Sequence, residues 1–439
     1  MKFVSTNKKS EPVLFFEAMR AGLAPDGGLY MPETIPTLPK GFWQKTGDLS
    51  FHEIAFEMAK PFLDGELTDS DIQSVVEDAF QFPIEIRSLH EGIHVLELYH
   101  GPTLAFKDFG ARFMARLFSE KVQKDQKEVT ILVATSGDTG SAVAHGFYQV
   151  PGVQVCLLYP KGKVSRLQEQ QMATLGENVT TLEVDGVFDD CQKLVKQAFV
   201  DPDLNKQMQL SSANSINIAR LLPQSFYYAY AFGALRKEGR TSPVFSVPSG
   251  NFGNLTGGLL AMKMGMPVQH FLAATNVNDV VPEFLKGKDY TPKHSIQTIS
   301  NAMDVGNPSN FERIRSLFKH SDEAIRHHLM GYAYTDDETR ETIRQVYDLF
   351  DYLICPHTAI GYRAALEHKR ENKQKNSYIT LATAHPVKFR DVIEPQIGHQ
   401  IPVPDRLEQW MDKEKTSIPL SKSYDTFKEF LLGNGSKEI

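Results

Sequence analysis

The sequence predicts an α/β protein with two lobes built on parallel or mixed sheets, preceded by a mainly helical N-terminal region. After about residue 93, short β-branched runs alternate with turns and helix-period segments, which is typical of βαβ units. Before that point, apolar residues from Phe51 to Phe82 recur at helical spacing. A length of 439 residues is enough for two or three domains. We therefore predict an N-terminal region over 1–92, a first lobe over 93–236 and a second lobe over 237–439.

Strands and helices are assigned in order along the chain from these two periodicities. A strand is predicted where a short apolar or β-branched run is bounded by turn residues. A helix is predicted where apolar residues return every three or four positions. The predicted strands are Val129–Ala134, Val153–Tyr159, Val179–Val184, Gln207–Ser211, Val244–Val247, Val268–Ala274, Tyr352–Cys355 and Tyr378–Thr383. The predicted helices are Phe109–Val122, Ser165–Leu175, Phe188–Phe199, Ile216–Arg236, Leu255–Met264 and Ala359–Lys369.

The composition excludes several classes of function. The chain carries a net charge of −7, so it has no excess of Lys and Arg to neutralise a nucleic-acid backbone. It has neither a signal-peptide core at its start nor an apolar run of membrane-spanning length. Its three cysteines, Cys156, Cys191 and Cys355, lack the spacing of a disulfide framework or a zinc site. We expect a cytoplasmic protein that binds neither nucleic acid nor membranes, and we assign no residue as a metal ligand.

A glycine-rich turn, Ser-Gly-Asn-Phe-Gly-Asn at residues 249–254, follows the predicted strand Val244–Val247. Gly250 and Gly253 permit backbone conformations in which successive N–H groups converge, and the start of the next helix adds partial positive charge. Such a turn can hold a phosphate. Glycines placed only for tight packing would give the same pattern, and the turn matches no nucleotide-binding signature.

Lys107 directly follows two apolar residues, Ala105 and Phe106, at the start of a helix-period segment. Apolar neighbours lower the pKa of a lysine amine, and a partly neutral amine suits covalent or proton-transfer chemistry. A solvated lysine at the start of a helix is the common alternative. The local pattern alone leaves both interpretations open.

Two further turns follow predicted strands. Thr-Ser-Gly-Asp-Thr at residues 135–139 offers hydroxyl and N–H groups at a helix start, where they can bind a carboxylate or simply cap the helix. Thr383 ends the strand predicted over Tyr378–Thr383, and His385 follows two residues later. Ligands of open α/β sheets bind beyond the carboxyl ends of the strands, so these turns are candidate parts of a site.

Together these segments closely resemble the threonine synthase family, whose members are pyridoxal-phosphate enzymes of the tryptophan-synthase-like fold. The resemblance extends through most of the chain, and it implies that the cofactor lies between two lobes that can exchange chain segments. It also favours a monomer over a homodimer. Further blocks that carry the resemblance are 22–32, 211–220, 300–310 and 356–361.

The resemblance implies specific roles for residues of this chain. Lys107 resembles the Schiff-base lysine, and Thr383 resembles the partner of the pyridine nitrogen. Asp138 is implied to lie near the cofactor's ring hydroxyl. Many relatives of this fold have Asn there, and a carboxylate would repel the ring oxygen unless a proton or a cation intervenes. The implied phosphate-binding turn comprises Gly250, Asn251, Phe252, Gly253 and Asn254, and the implied carboxylate-binding residues are Ser136, Gly137 and Thr139.

The implied reaction converts O-phospho-L-homoserine and water to L-threonine and phosphate, the last step of threonine biosynthesis. It proceeds by γ-elimination of phosphate and β-addition of water, with pyridoxal 5'-phosphate as cofactor. Because the chain is acidic overall, the substrate phosphate requires a local cluster of cations and N–H donors. The candidates for it are Lys163, Asn214 and Arg220, with Lys161 and Arg166 nearby in sequence. The alternatives are a related pyridoxal-phosphate-dependent phospho-lyase, a serine/threonine dehydratase, or a binding protein of the same fold without turnover.

Overall fold

The computed structural model describes residues 1–90, 92–125, 128–372 and 376–433. The N-terminal region combines four helices with a small antiparallel sheet in which β1 is the central strand. Its elements are β1 (Lys2–Ser5), β2 (Val13–Leu14), α1 (Phe15–Ala21), β3 (Tyr30–Pro32), α2 (Lys40–Lys45), α3 (Phe51–Leu63) and α4 (Asp69–Ala79). Helices α3 and α4 each begin with a capping box, Ser50 with Glu53 and Thr68 with Asp71.

The middle of the chain alternates strands and helices, as predicted after about residue 93, but the strands at 85–90 and 93–97 were not predicted, and the strand predicted over Gln207–Ser211 begins only at Leu210 because Gln207 ends a helix. It contains β4 (Glu85–His90), β5 (Ile93–Glu97), α5 (Lys107–Asp125), β6 (Val129–Ala134), α6 (Asp138–Phe147), β7 (Val153–Pro160), α7 (Arg166–Ala173), β8 (Val179–Val184), α8 (Phe188–Val200), α9 (Pro202–Gln207), β9 (Leu210–Ser212), α10 (Ile218–Leu221) and α11 (Phe226–Lys237). The single helix predicted over Ile216–Arg236 is wrong in one respect. A 3-10 turn that contains Pro223 separates α10 from α11, because proline cannot supply the backbone N–H of a continuous helix.

The remaining elements complete the two lobes. They are β10 (Val244–Pro248), α12 (Gly253–Lys263), β11 (His270–Thr275), α13 (Val280–Leu285), α14 (Phe311–Leu317), α15 (Asp322–His328), β12 (Leu329–Ala333), α16 (Asp336–Phe350), α17 (Pro356–Glu371), β13 (Tyr378–Ala382), α18 (Arg390–Ile397), α19 (Asp405–Met411), β14 (Ile418–Leu420) and α20 (Tyr424–Leu431).

The strand predicted at Tyr352–Cys355 is wrong, because this segment is an irregular link between α16 and α17. Its residues are engaged in other ways. The Tyr352 hydroxyl donates to Glu97, and the Cys355 sulfur caps α17 by accepting from the Thr358 N–H. Pro356 then occupies the first turn of that helix, where a missing N–H costs nothing.

Each of the two predicted α/β lobes is built on one sheet. The larger lobe has six strands in the order β12-β11-β10-β13-β5-β4, all parallel except β4. The smaller lobe has five parallel strands in the order β14-β8-β7-β6-β9. Strand β5 therefore joins the larger sheet, and β14 at the far end of the chain joins the smaller one. The sheets thus cross the sequence-based limits at residues 93 and 237.

The N-terminal region shares the main hydrophobic core with both lobes. Phe80 lies between Phe109 and Phe113 of α5, with ring centroids 5.7 Å and 6.0 Å away, and it also contacts Phe226 of α11. This aromatic packing holds α5, and hence Lys107 at its start, in a fixed position. Among the described helices, none is both long enough and apolar enough to cross a membrane.

Candidate active site

Three neighbouring parallel strands of the larger sheet, β10, β13 and β5, end at the same edge. The glycine turn follows β10, Thr383 follows β13, and the segment leading to Lys107 follows β5. The Phe106 N–H donates to the Thr383 carbonyl at 2.9 Å, so Lys107 and Thr383 lie side by side. The fold therefore places these candidate site residues beyond the carboxyl ends of the strands, where ligands of open α/β sheets bind.

The turn that precedes Lys107 is fixed by its neighbour Asp108. This buried carboxylate accepts the Thr103 N–H at 2.9 Å and the Thr103 hydroxyl at 2.7 Å. Burial raises the pKa of Asp108 to about 6, although the Thr103 hydrogen bonds oppose that rise. A side chain at Gly101 would come within 2.4 Å of an Asp108 oxygen, so the turn has room only for glycine there.

Lys107 is partly buried and lies among charged groups from three other elements. Burial lowers the pKa of its amine, Asp138 opposes that shift, and Lys388 and Arg220 reinforce it. A lysine amine with a lowered pKa is more often neutral, which suits a nucleophile or a base. Burial, reinforced by the two neighbouring cations, therefore favours the reactive form of the amine.

Asp138, the first residue of α6, forms a buried ion pair with Lys388. The Lys388 ammonium lies 2.6 Å from Asp138 Oδ1, and Gln168 Nε2 donates to the same oxygen at 2.9 Å. Burial alone would raise the pKa of Asp138, but Lys388 and Lys107 hold it well below its usual range. Asp138 is thus a carboxylate, and Lys388 is the cation that the sequence argument requires beside it.

The glycine turn presents unpaired N–H groups at the start of α12. None of the N–H groups of residues 250–254 has a hydrogen-bond acceptor among the described residues. A Cβ at Gly250 would lie 2.5 Å from the Ala302 carbonyl oxygen, which leaves no space for a side chain. Phe252 adopts a left-handed conformation, with φ of 60°, at the N-cap. This arrangement of backbone donors at a helix start fits a phosphate group.

Asparagine side chains brace the same turn. Asn254 Nδ2 donates to the Pro248 carbonyl at 2.8 Å, and its Oδ1 accepts from the Ser249 hydroxyl at 2.9 Å. Asn251 Nδ2 donates to the Ser215 hydroxyl at 2.6 Å, while its Oδ1 accepts the Ser309 N–H at 2.6 Å. These two side chains thus hold the turn in shape and leave its backbone donors available.

The turn at residues 135–139 follows β6 of the smaller lobe. The Thr135 hydroxyl oxygen accepts the N–H groups of Gly137 at 3.0 Å and Gly140 at 2.8 Å. Gly137 has φ of 136°, and a side chain there would come within 2.4 Å of Gln168. Ser136 is exposed and Thr139 is partly buried. Their hydroxyl groups therefore remain accessible at the start of α6.

The three candidates for the substrate phosphate occupy different environments. Arg220 is buried within electrostatic reach of Lys107, its Nη1 donates to the Ala213 carbonyl, and its buried Nε has no partner among the described residues. Asn214 is partly buried, and its Oδ1 also lacks a partner in the described part of the chain. Lys163 is exposed in the turn after β7. Arg220 is therefore the candidate that the structure brings to Lys107.

His357, at the start of α17, connects the glycine turn to Lys107. Its Nε2 accepts the Ala302 N–H at 3.3 Å, and Ala302 is the residue that Gly250 contacts. Burial lowers the pKa of His357 to about 4, so the ring is neutral at pH 7. A ring nitrogen already engaged by a backbone donor is not free to act as a base. His357 is thus a structural residue of the site.

Pyridoxal phosphate fits this arrangement. The site has a reactive amine, N–H groups of residues 250–254 that have no acceptor among the described residues, and the cations Lys388 and Arg220 near Lys107. A phosphate would satisfy those N–H donors, and the cofactor supplies one.

Sequence reasoning missed Lys388, Gln168 and Asp108. Lys388 could have been found, because it lies between Val387 and Phe389 shortly after a strand, the same apolar setting that singled out Lys107. Gln168 gave no such signal. It completes the capping box of α7 with Ser165 and also donates to Asp138, and only the fold shows the second contact.

Three family models match the chain. One describes pyridoxal-phosphate-dependent enzymes and matches residues 84–384. The other two describe the threonine synthase N terminus, at residues 2–80, and the threonine synthase C-terminal region, at residues 358–431.

Similar proteins match over their full length. The threonine synthase of Haemophilus influenzae is 43% identical, over 98% of this chain and 100% of that protein. The crystal structure of Escherichia coli threonine synthase is 41% identical, with a TM-score of 0.91 over 99% of this chain and 100% of that one. The PLP-bound threonine synthase of Brucella melitensis is 33% identical, with a TM-score of 0.92 over 99% of both chains.

Proposed function

The chain belongs to the threonine synthase family of pyridoxal-phosphate-dependent enzymes, and on this premise we propose that Lys107 is its covalent cofactor lysine and its main proton carrier. The protein is a lyase that forms L-threonine from O-phospho-L-homoserine and water and releases phosphate. The observation that carries the assignment of Lys107 is its position among Asp138, Lys388 and Arg220. This is a lysine whose surroundings favour a neutral amine, at the same edge of the larger sheet as the turn that suits a phosphate.

Several residues would hold the cofactor. The N–H groups of residues 250–254 would bind its phosphate, Thr383 would face its pyridine nitrogen, and Asp138 would lie near its ring hydroxyl. When bound, pyridoxal phosphate withdraws electrons from the substrate's α carbon, which allows protons to leave the neighbouring carbons. A neutral threonine hydroxyl facing that nitrogen would leave the ring largely unprotonated, which would favour elimination over transamination.

The chain's own groups then move protons and bind the substrate's ends. Lys107 Nζ takes the proton from the substrate's α carbon and later returns it. The hydroxyl groups of Ser136 and Thr139, with the N–H groups at the start of α6 that include Gly137, bind the substrate carboxylate. The guanidinium of Arg220 stabilises the leaving phosphate, supported by Asn214 and, from the turn after β7, by Lys163.

Product analysis tests the reaction. Purified protein incubated with O-phospho-L-homoserine should release threonine and phosphate in equal amounts. Release of a 2-oxo acid in place of threonine would instead indicate a phospho-lyase or dehydratase.

Replacement of Lys107 tests its role. Lys107→Ala should lose the visible absorption of bound cofactor and about a thousandfold or more in kcat, since covalent and proton-transfer functions are removed together. Lys60→Ala, at an exposed ion pair of the N-terminal region, should retain both. Borohydride reduction followed by peptide mapping must label Lys107. Labelling of another lysine would refute the assignment.

We also propose that the enzyme works in the cytoplasm as a monomer. The three cysteines are buried and free, which suits a reducing compartment. Size-exclusion chromatography with light scattering would test the monomer, because a dimer has twice the mass.

A further inference from the structure

The Asp138–Lys388 pair joins the two lobes. Lys388 lies in the 3-10 turn Pro386–Phe389 that follows β13 of the larger lobe, whereas Asp138 begins α6 of the smaller lobe. The side chain of Lys388 is 0% exposed, and that of Asp138 is 7% exposed. The pair is therefore an ionic contact removed from solvent, at the boundary where the candidate active site lies.

The same ammonium also contacts the turn that carries Lys107. Lys388 Nζ donates to the Thr103 carbonyl at 2.9 Å. The N–H and hydroxyl of Thr103 in turn bind Asp108, the neighbour of Lys107. Lys388 thus connects the start of α6 with the start of α5 through a single nitrogen atom.

Stability alone does not explain such a pair. Removing two charges from water is costly, and buried ion pairs are often no more stabilising than apolar residues of similar size. Their value lies in position and charge. Here the carboxylate attracts the Lys107 ammonium while Lys388 repels it, so the pair fixes the electrostatic surroundings of that amine.

We propose that Lys388 is a positioning residue for the reaction: it holds Asp138 as a carboxylate beside Lys107 and joins the two lobes across the cofactor site. The inference rests on the proposed role of Lys107.

Removing either partner should affect Lys107 in opposite directions. Loss of Lys388 removes a repelling charge and makes the Lys107 ammonium harder to deprotonate. Loss of Asp138 removes an attracting charge and makes it easier to deprotonate. The other charged or titratable groups around Lys107, which are Arg220 of α10, His357 of α17 and Asp108 of α5, stay in place in both variants.

The experiment measures the protonation of Lys107 without relying on activity. The full chain, freed of cofactor, is labelled with trace acetic anhydride over a range of pH, and acetylation of Lys107 is read by peptide mapping. The pH midpoint should rise by about one unit in Lys388→Met and fall by about one unit in Asp138→Asn. The double variant should lie between the two single variants.

Cofactor binding gives a second readout. Lys388→Met leaves the Asp138 carboxylate uncompensated at the site, so it should bind the anionic pyridoxal phosphate about tenfold more weakly, as followed by visible absorption, whereas Asp138→Asn removes a negative charge and should not weaken binding. The double variant should recover part of that loss, because no buried charge remains without its partner. A purely additive loss would contradict the proposal.

Lys415→Met is the matched control, since Lys415, which lies toward the C-terminal end of the chain, forms ion pairs with Glu169 and Glu183. It should leave the Lys107 midpoint unchanged. If Lys388→Met does not fold, the double variant is compared with Asp138→Asn, and its midpoint must be the higher of the two. Midpoints that move in the same direction, or no further than in the control, overturn the proposal. The midpoints do not depend on covalent cofactor attachment, so a failure of the proposed function is detected separately.

Discussion

At the scale of single residues, the balance of charge around Lys107 determines what the site can bind. Lys388 and Arg220 lie near Lys107 together with two carboxylates, Asp138 and Asp108, in surroundings largely removed from water. Burial lowers the pKa of Arg220 to about 10, yet it remains a cation at pH 7. The donors left for a phosphate are Arg220 Nε and the N–H groups of residues 250–254, which have no acceptor among the described residues. In a chain of net charge −7, these donors provide the local site for an anionic substrate.

Replacement of Arg220 tests its role in binding the substrate phosphate. Arg220→Gln should raise the KM for O-phospho-L-homoserine about tenfold or more, because a charged hydrogen bond is worth about 1.5–3 kcal/mol. Cofactor absorption should persist, and Arg220→Lys should restore part of the affinity by restoring the charge. Lys161→Gln, in an exposed turn, serves as the control. An unchanged KM in Arg220→Gln would place the phosphate elsewhere.

The sequence singled out candidate site residues but not the side chains that contact them. The apolar neighbours of Lys107 marked it as a candidate, Thr383 was a candidate by its place at the end of a predicted strand and by the family resemblance, and β5 and β13 bring the two segments together. The ion pair between Asp138 and Lys388 could not be predicted, because its two residues are far apart in sequence and belong to different lobes. A pairing of this kind depends on the fold rather than on local composition.

At the scale of elements, buried parallel strands were predicted most accurately. The bounds of β6 and β8 agree with the sequence, since a fully buried strand is a continuous apolar run between turns. Strand β12 was missed, because Gly331 interrupts its apolar run. A glycine is needed at this position, since Pro282 packs too close to it for a side chain. The N-terminal sheet was also missed, because its strands are too short to show alternation.

The glycine turn gives a prediction at this scale. Gly250→Ala places a methyl group 2.5 Å from the Ala302 carbonyl oxygen and 2.7 Å from Met303 Cα, so the turn must shift. Affinity for pyridoxal phosphate should fall about tenfold or more, because convergent N–H groups lose their alignment on the phosphate. A titration followed by visible absorption measures it. Gly41→Ala, which meets nothing within 4 Å, should bind normally. Equal affinity in both variants would contradict a phosphate-binding role for the turn.

At the scale of the whole molecule, segments that are distant in sequence share the same sheet or the same core. The N-terminal region completes the main core, β5 lies in the larger sheet, and β14 returns to the edge of the smaller one. Helix α19 near the C terminus also contacts the smaller lobe, where Trp410 packs edge-on against His145 of α6 at 4.9 Å. Buried groups that titrate at such contacts link the stability of the fold to pH.

His145 gives the pH prediction. Burial lowers its pKa to about 4, so the folded protein keeps the ring neutral while the unfolded chain protonates it below about pH 6.5. The contribution of the neutral, buried His145 ring to the free energy of unfolding is therefore fully present above about pH 6.5 and is lost as the pH falls toward 4. Between pH 7 and pH 5 this amounts to about 2 kcal/mol of the free energy of unfolding.

Urea unfolding of His145→Leu at the two pH values measures this contribution. The variant should lose about 2 kcal/mol less than the parent protein between pH 7 and pH 5. His294→Asn, at an exposed position, should behave like the parent. The comparison between variants matters because Asp108 and Asp304, whose pKa values burial raises to about 6, have the opposite dependence on pH. Identical losses in His145→Leu and the parent would contradict the prediction.

The exchange of strands between the lobes has a consequence for biosynthesis. On the ribosome, β4 and β5 emerge early, but the neighbour of β5 in the larger sheet, β13, is made only after the smaller lobe and most of the larger one. The edge of that nascent hairpin stays open while most of the polypeptide is translated, and an unpaired edge invites contact with other chains. The final edge strand of the smaller lobe arrives later still. A newly made molecule therefore depends on β13 and β14 to complete the two sheets, and chaperones that shield open edges should bind it until both strands have been made.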